Sequence, residues 1–578
     1  MVAADPTHRD RRRAGPAPGW HPAPVRPHPS GPPADLVLLN GRIETMDSAR
    51  PRVEALAARG GRIAAVGTDV EVRRWVGPRT RVVELRGRTV TPGFGDAHAH
   101  VTLSGLERLR CDLTDLRGLD RYLEAVATYA AGHPAESWIV GAGWSMTDFP
   151  GGIPAAADLD RVVPDRPVFL DSRDGHSVWV NSRALELAGI TSTTVDPADG
   201  RIERDADGHP IGTLQENAKY LVMPLLPAPD TDQVLEGLRI GQRVLHEVGV
   251  TNWQEAYVQA DIEDIAFPEL AARGELTGRV VGALGWDEAR GLEQVDELVE
   301  RRTRTTVPRY APTSVKFFAD GVIENLTGAM LDPYFDAGGH LTTERGIGML
   351  DPAAFGEAVA AVDALGFQTH VHAIGDRAVR ESLDAIELAR ARNGPSRNRP
   401  HIAHIQVIHP DDVGRFRALD VAANVQALWA VLEDQMELLT IPVLGPERSA
   451  WQYPFGSLLR AGARLVMGSD WSVSTCDPFD QIEVAVNRVL PEHRGLKPTF
   501  LPDERISLEA ALEAFTFGSA WVNGLEDQVG SIEVGKAADL TVLDRDLFDR
   551  GAGEIGDTTV VATFIDGVAV FERPELER

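Results

Sequence analysis

Between residues 91 and 470 the sequence returns eight times to one pattern: a short apolar run, closed by glycine or a polar residue and most often followed by a helix-period stretch. The runs are TPGFGDAH, GVTNWQEA, GRVVGALG, TSVKFFADG, GFQTHVHAIG, HIAHIQVI, VAANVQAL and ARLVMGSD. Strands that are apolar throughout must be covered on both faces, which is the situation of a parallel sheet flanked by helices. Eight of them point to an α/β fold in which the sheet closes into a (β/α)8 barrel. The spacing is uneven at one place. Roughly 150 residues separate the first run from the second, far beyond an ordinary βα connection. Residues 101–248 are therefore expected to form an insertion covering the barrel mouth.

The flanks have a different texture. ADLVLLNGRIETMD, VEALAARGGRIAAVG and TRVVELRGRTVTPG are short strands broken by glycine turns, and GSIEVGKAADLTVLDRD and VVATFIDGVAVFER repeat that texture at the far side of the barrel. The economical arrangement is one small composite β-sandwich, 34–90 with 525–578, around a barrel at 91–524. Residues 1–33 are rich in Pro, Arg and His, hold too little apolar surface for a core, and are predicted to be disordered.

Bulk composition excludes some partners. A formal net charge of −28 repels phosphate backbones, so nucleic acid is not expected as a partner. No run approaches the roughly 18 consecutive apolar residues of a membrane-spanning helix. No apolar stretch follows the basic residues Arg9, Arg11, Arg12 and Arg13, so a secretory signal is not expected either. The two cysteines, Cys111 and Cys476, make no disulfide framework and suit a reducing compartment. The expectation is a cytoplasmic protein.

In a barrel of this kind, chemistry gathers at the C-terminal ends of the strands. His98 and His100 close the first run, Lys316 lies in the fourth, His372 in the fifth and His404 in the sixth, and Asp470 follows the eighth. Alternate side chains of a strand share a face, so His98 and His100 can reach one ion. A lysine inside an apolar strand is costly unless paired or neutralised. An ion pair with Asp320 or Glu324 would serve. So would reaction with carbon dioxide to give a carbamate, an anionic ligand able to bridge two cations. His370 shares the face of His372 one layer deeper and is expected to orient it. His401, which opens its strand, is expected to be exposed. Asp470 can ligate a metal and take the proton of an activated water. In the insertion, His176 and Glu216 are candidates to face substrate, with turn chemistry and a salt bridge as their respective alternatives. Trp144 and Trp471 are candidate pocket walls.

The sequence resembles the amidohydrolase superfamily, and within it the amidohydrolase-3 branch that includes N-substituted formamide deformylase-like enzymes. The resemblance runs from about Asp35 to Arg573, in TPGFGDAHAH, DGHSVWVNSRAL, GTLQENA, VKFFADG, HVHAIGDRAV, HIQVIHPDD, MGSDWSV and GSIEVGKAADLTVLD. It implies a distorted TIM barrel joined to a composite β-sandwich. It implies a divalent metal, zinc first, as one or two ions on His98, His100, His372, His404 and Asp470, with a carboxylated Lys316. It puts His176 near the substrate, and Glu255 where the branch more commonly ends its second strand with Asp. The implied activity is hydrolysis of a C–N bond in an amide, formamide or cyclic amide of small-molecule size. Metal-activated water would attack, Asp470 would act as general base, and His404 or a second ion would steady the oxyanion. The same site could serve an esterase, a carbamate hydrolase or a deaminase. A third alternative is an inactive binding scaffold. A homodimer is the family-level expectation.

Overall fold

The computed structural model describes residues 32–549 and 552–576. All but the last two residues of the segment predicted to be disordered lie outside them. Eight parallel strands form one sheet whose order follows the sequence: β1 (Phe94–Ala99), β2 (Val250–Val258), β3 (Arg279–Gly285), β4 (Tyr310–Phe318), β5 (Gln368–Ala373), β6 (His401–His404), β7 (Ala422–Val425) and β8 (Arg464–Met467). Each of the eight apolar runs supplies one strand. The sheet curls into a nearly closed barrel, and the turn after β8 bridges the gap to β1. There Asp470 N donates to His98 O at 2.7 Å, and His100 N donates to Trp471 O at 2.8 Å. The approach is close enough to demand glycine at 468, where a Cβ would sit 2.5 Å from His98 N.

Both faces of the strands are covered, as apolar strands require. Outward residues such as Trp253, Val280, Tyr310, Phe317 and Val371 merge with the flanking helices into one large core. The helices start where local chemistry tells them to. Asp351 caps the helix Pro352–Ala364 by accepting from Ala353 N and Ala354 N, with proline in its first turn. Asp230 and Gln233 form a capping box at the head of Thr231–Glu247.

The segment 101–248 divides into two kinds of structure. Its ends, the helices Val101–Glu107 and Thr231–Glu247, pack on each other and share the core of the barrel. Between them lies a separate six-stranded mixed sheet, from Cys111–Asp112 to Pro210–Glu216, with apolar clusters of its own. Near the chain ends, strands Arg42–Glu44, Arg52–Val53 and Thr89–Pro92 join Leu540–Leu543, Val560–Ile565 and Val568–Glu572 in another six-stranded sheet. Its joint is the antiparallel pairing of Thr89–Pro92 with Leu540–Leu543. One apolar cluster, including Leu36, Leu56, Leu540 and Phe564, links it to the four-stranded sheet formed by residues 36–84. Among the described residues, no helix is long and apolar enough to cross a membrane.

Candidate metal centre

The strand ends bring a histidine–aspartate cluster to one point. Asp470, three residues past β8, sets Oδ1 3.2 Å from His98 Nε2 and 3.3 Å from His100 Nε2. Its Oδ2 is 4.0 Å from His404 Nδ1. Donor atoms of His98, His404 and Asp470 all lie within 4.8 Å of one another. The His372 ring is 4.5 Å from that of His404, centroid to centroid, and its Nε2 is 3.2 Å from the carbonyl oxygen of Gly321. Lys316 Nζ lies 3.3 Å from His98 Nε2 and 5.0 Å above the Phe318 ring. All six predicted side chains are thus gathered, with His100, Lys316 and His372 outside the tightest group of three.

The electrostatics are those of a ligand set. Burial depresses the imidazole pKa of His98 to about 3, and those of His372 and His404 well below their usual range. All three are therefore neutral at pH 7, the form whose bare nitrogen can bind a cation. Burial alone would raise Asp470, but the surrounding His98, His100 and His404 hold it well below the carboxylate range. Asp470 Oδ1 and His404 Nδ1 are buried without a well-directed hydrogen-bond partner. A buried polar atom left unpaired is expensive. Neutral imidazole nitrogens around an ionised carboxylate are also the donor set that a divalent ion such as zinc prefers. The residues present therefore fit a cation.

Lys316 does not take the ion-pair option. Among the described residues no carboxylate reaches its Nζ. Asp320 is occupied by the amides of Ala329, Ile374 and Gly375, and Glu324 accepts from Thr440 Oγ1. Burial lowers the Lys316 ammonium to about 7, against the pull of Asp470.

A cavity of about 630 Å³ opens above the cluster. Its walls include His372, His404 and Asp470 from the barrel, Trp144 and His176 from the inserted sheet, and Trp429 from the loop after β7. His176 Nδ1 is 2.8 Å from Glu216 Oε2. Burial works against the His176 imidazolium, but the Glu216 carboxylate outweighs it and raises the pKa. His176 stands at the cavity wall, 5.1 Å from the His372 ring by centroids, with Glu216 favouring its protonated form.

Several expectations need correction. Glu216 is absent from the cavity lining; it stands behind His176 and also accepts from Thr327 Oγ1 at 2.6 Å. Trp471 is packed in the core beneath Arg108 rather than lining the cavity, and Trp429, stacked on His404 at 5.4 Å, takes the place foreseen for it. His370 does not orient His372; its Nε2 meets His98 Nδ1 at 2.9 Å. His401 is fully buried, its ring 4.1 Å from that of His370. Glu255 points away from the barrel interior, accepting from Thr102 N and Trp253 Nε1. Asp96 was missed altogether. It receives His98 N, Ser469 N and Ser469 Oγ, and so ties the first ligand strand to the turn that carries Asp470. An aspartate two residues before H-x-H was the available signal, but it reads equally as an ordinary turn residue.

Comparison with known proteins agrees with this geometry. The model of the amidohydrolase family matches residues 81–571. Protein LONG AFTER FAR-RED 3 of Arabidopsis thaliana is 31% identical over 551 residues, covering 94% of this chain and 92% of that protein. The N-substituted formamide deformylase of Arthrobacter pascens is 28% identical over 549 residues, covering 93% and 98%. Among solved structures, an uncharacterized metal-dependent hydrolase from Pyrococcus furiosus is similar with a TM-score of 0.67 at 26% identity, covering 88% of this chain and 99% of that one. With the match spanning the whole barrel, and relatives aligned over nearly their whole length, the chain belongs to the amidohydrolase family.

Proposed function

We propose that this enzyme hydrolyses a C–N bond in an amide, formamide or cyclic amide of small-molecule size. The observation that carries the proposal is the Asp470 carboxylate, kept ionised beside His98, His100 and His404 and with Oδ1 lacking a well-directed hydrogen bond, at the base of the cavity. His98, His100, His372, His404 and Asp470, with a carbamate on Lys316, would hold one or two divalent cations, zinc first. Such a cation, when bound, makes water more acidic and polarises a carbonyl.

The chain's own groups supply the rest. Asp470 accepts the proton of the attacking water at a carboxylate oxygen and later delivers it to the departing nitrogen. His176, held by Glu216, directs a hydrogen bond into the cavity where a carbonyl oxygen gains negative charge. Trp144 and Trp429 give the substrate an apolar wall and keep bulk water from the reacting bond. Lys316 is buried and, among the described residues, forms no ion pair with a carboxylate, which supports a carbamate that would give it an anionic role. The formamide substrate in the name of the Arthrobacter pascens relative supports an amide-type bond.

The test is metal analysis of the purified protein, followed by chelation and an assay on matched amides, esters and amines. We expect stoichiometric metal, loss of amide hydrolysis on chelation, and recovery on adding Zn2+. Activity that survives complete metal removal would refute the mechanism. Clear preference for an ester over its matched amide would refute the bond assignment.

A further inference from the structure

Beneath the ligand cluster, beside Lys316, lies a layer of polar side chains that the proposed reaction does not use. In cross-strand register, Lys316, His370 and His401 lie side by side on β4, β5 and β6. His370 meets His98, as described. His401 Nδ1 is 3.1 Å from Asn424 Nδ2, which also donates to Ala97 O at 2.9 Å. Gln426 Nε2 donates to Asn424 Oδ1 at 3.1 Å, and Gln426 Oε1 accepts from His404 N at 2.9 Å. All four side chains, His370, His401, Asn424 and Gln426, are fully buried.

The backbone groups at either end fix the proton directions. His404 N–H can only donate and the Ala97 carbonyl can only accept. Gln426 therefore presents its oxygen to His404 and its amide nitrogen to Asn424 Oδ1. Asn424 gives one proton to Ala97 O and the other to His401 Nδ1, so His401 carries its own proton on Nε2. On the other side, His98 Nε2 faces Asp470 and Lys316. An imidazole that binds a cation through Nε2 keeps its proton on Nδ1. The acceptor that proton meets is His370 Nε2. At the other end of the layer, His404 has φ 74° and Ile405 φ 41°, conformations uncommon outside glycine and strained for a β-branched residue. The oxygen of Gln426 takes the His404 N–H in that conformation.

We propose that His370 and Gln426 are positioning residues for the metal centre. His370 sets the tautomer of His98, Gln426 holds the strained backbone at His404, and Asn424 and His401 fix the orientation of Gln426. This rests on the metal reading given above. The experiment is titration of the metal-free full-length protein with Zn2+ against a chromophoric chelator, alongside its melting temperature. His370→Leu should bind Zn2+ about 10- to 100-fold more weakly than wild type without a lower melting temperature. His370→Gln can set an amide oxygen near the place of Nε2, and should recover most of the affinity. Gln426→Leu should weaken binding by a similar factor, and Gln426→Glu, which keeps the acceptor for His404 N–H, should weaken it less. If His370→Leu does not fold, the Gln426 pair carries the same comparison. Wild-type affinity in the leucine variants would overturn this inference alone. A wild-type protein that binds no Zn2+ would overturn it together with the reading it rests on.

Discussion

The barrel rim and the space behind β2 both bury ionisable groups, with opposite results. At the rim, a carboxylate and several imidazoles lie within a few ångströms, and the unpaired atoms belong to groups in their ligating forms: Asp470 ionised, His404 neutral. Behind β2, Glu255 and Glu263 are buried between the barrel and its helices. Burial raises Glu255 to about 8 and, with the nearby Glu255 charge adding to it, lifts Glu263 well above its ordinary range. Glu263 Oε2 accepts from Gln259 N, while its Oε1 and the Tyr310 hydroxyl lack partners. The adjacent Asp264 is paired with Arg301 and Arg304. Like charges placed together without a cation give up their charge to protons, whereas carboxylate and imidazole together keep their lone pairs for a metal.

That contrast can be broken by mutation. The largest effect is expected at the rim, where Asp470→Asn keeps shape and loses the proton acceptor. Steady-state kinetics should show kcat lower by about 10²- to 10⁴-fold, with metal content falling less. Retained turnover would remove Asp470 from its role. Next is the support behind the cavity wall. Glu216→Gln removes the charge that holds His176, and a hydrogen bond to a charged group is worth about 1.5–3 kcal/mol, or roughly ten- to a hundredfold in kcat/KM. An unchanged kcat/KM on the best amide would demote the pair to structure.

The smallest effect is expected behind β2 and appears only in stability. A carboxyl whose pKa is raised in the folded state stays protonated there while the unfolded chain ionises near the ordinary value of 4.5. The folded state then holds the extra proton, so stability is greatest below that value and falls as pH rises towards the folded pKa. Glu263→Gln removes this dependence and keeps an acceptor for Gln259 N. Melting temperatures should favour the variant increasingly between pH 5 and pH 8, with an upper slope of about 1.4 kcal/mol per pH unit. Parallel curves for variant and wild type would show that the pair carries its charge after all.

What the sequence made legible follows from what each motif depends on. The eight runs located all eight strands because strand burial on both faces is a local property of the text. His98, His404 and Asp470 were recognisable because strand-end position alone aims them at the axis. Trp429 was not, because it sits on a loop whose path depends on tertiary packing, and Trp471 was misplaced for the same reason. The partner of His370 was lost to an error of distance: two residues along one strand are farther apart than two residues facing each other across the barrel. The inserted sheet could be sized but not shaped, since nothing in its text says where the helices of the barrel layer stop and the insertion begins.

The pairing of Thr89–Pro92 with Leu540–Leu543 has a consequence for how the molecule comes into being. The early strand is synthesised some 450 residues before its neighbour, and must wait while the intervening chain emerges, at ~5–20 residues per second on the ribosome. During that interval Leu36, Leu56 and Val90 lack the Leu540 and Phe564 that later cover them. Maturation of the enzyme is thus gated by the strands from Leu540 onward, and a ribosome that stalls or terminates short of them leaves a nascent chain with a sticky, half-built sheet for chaperones to shield.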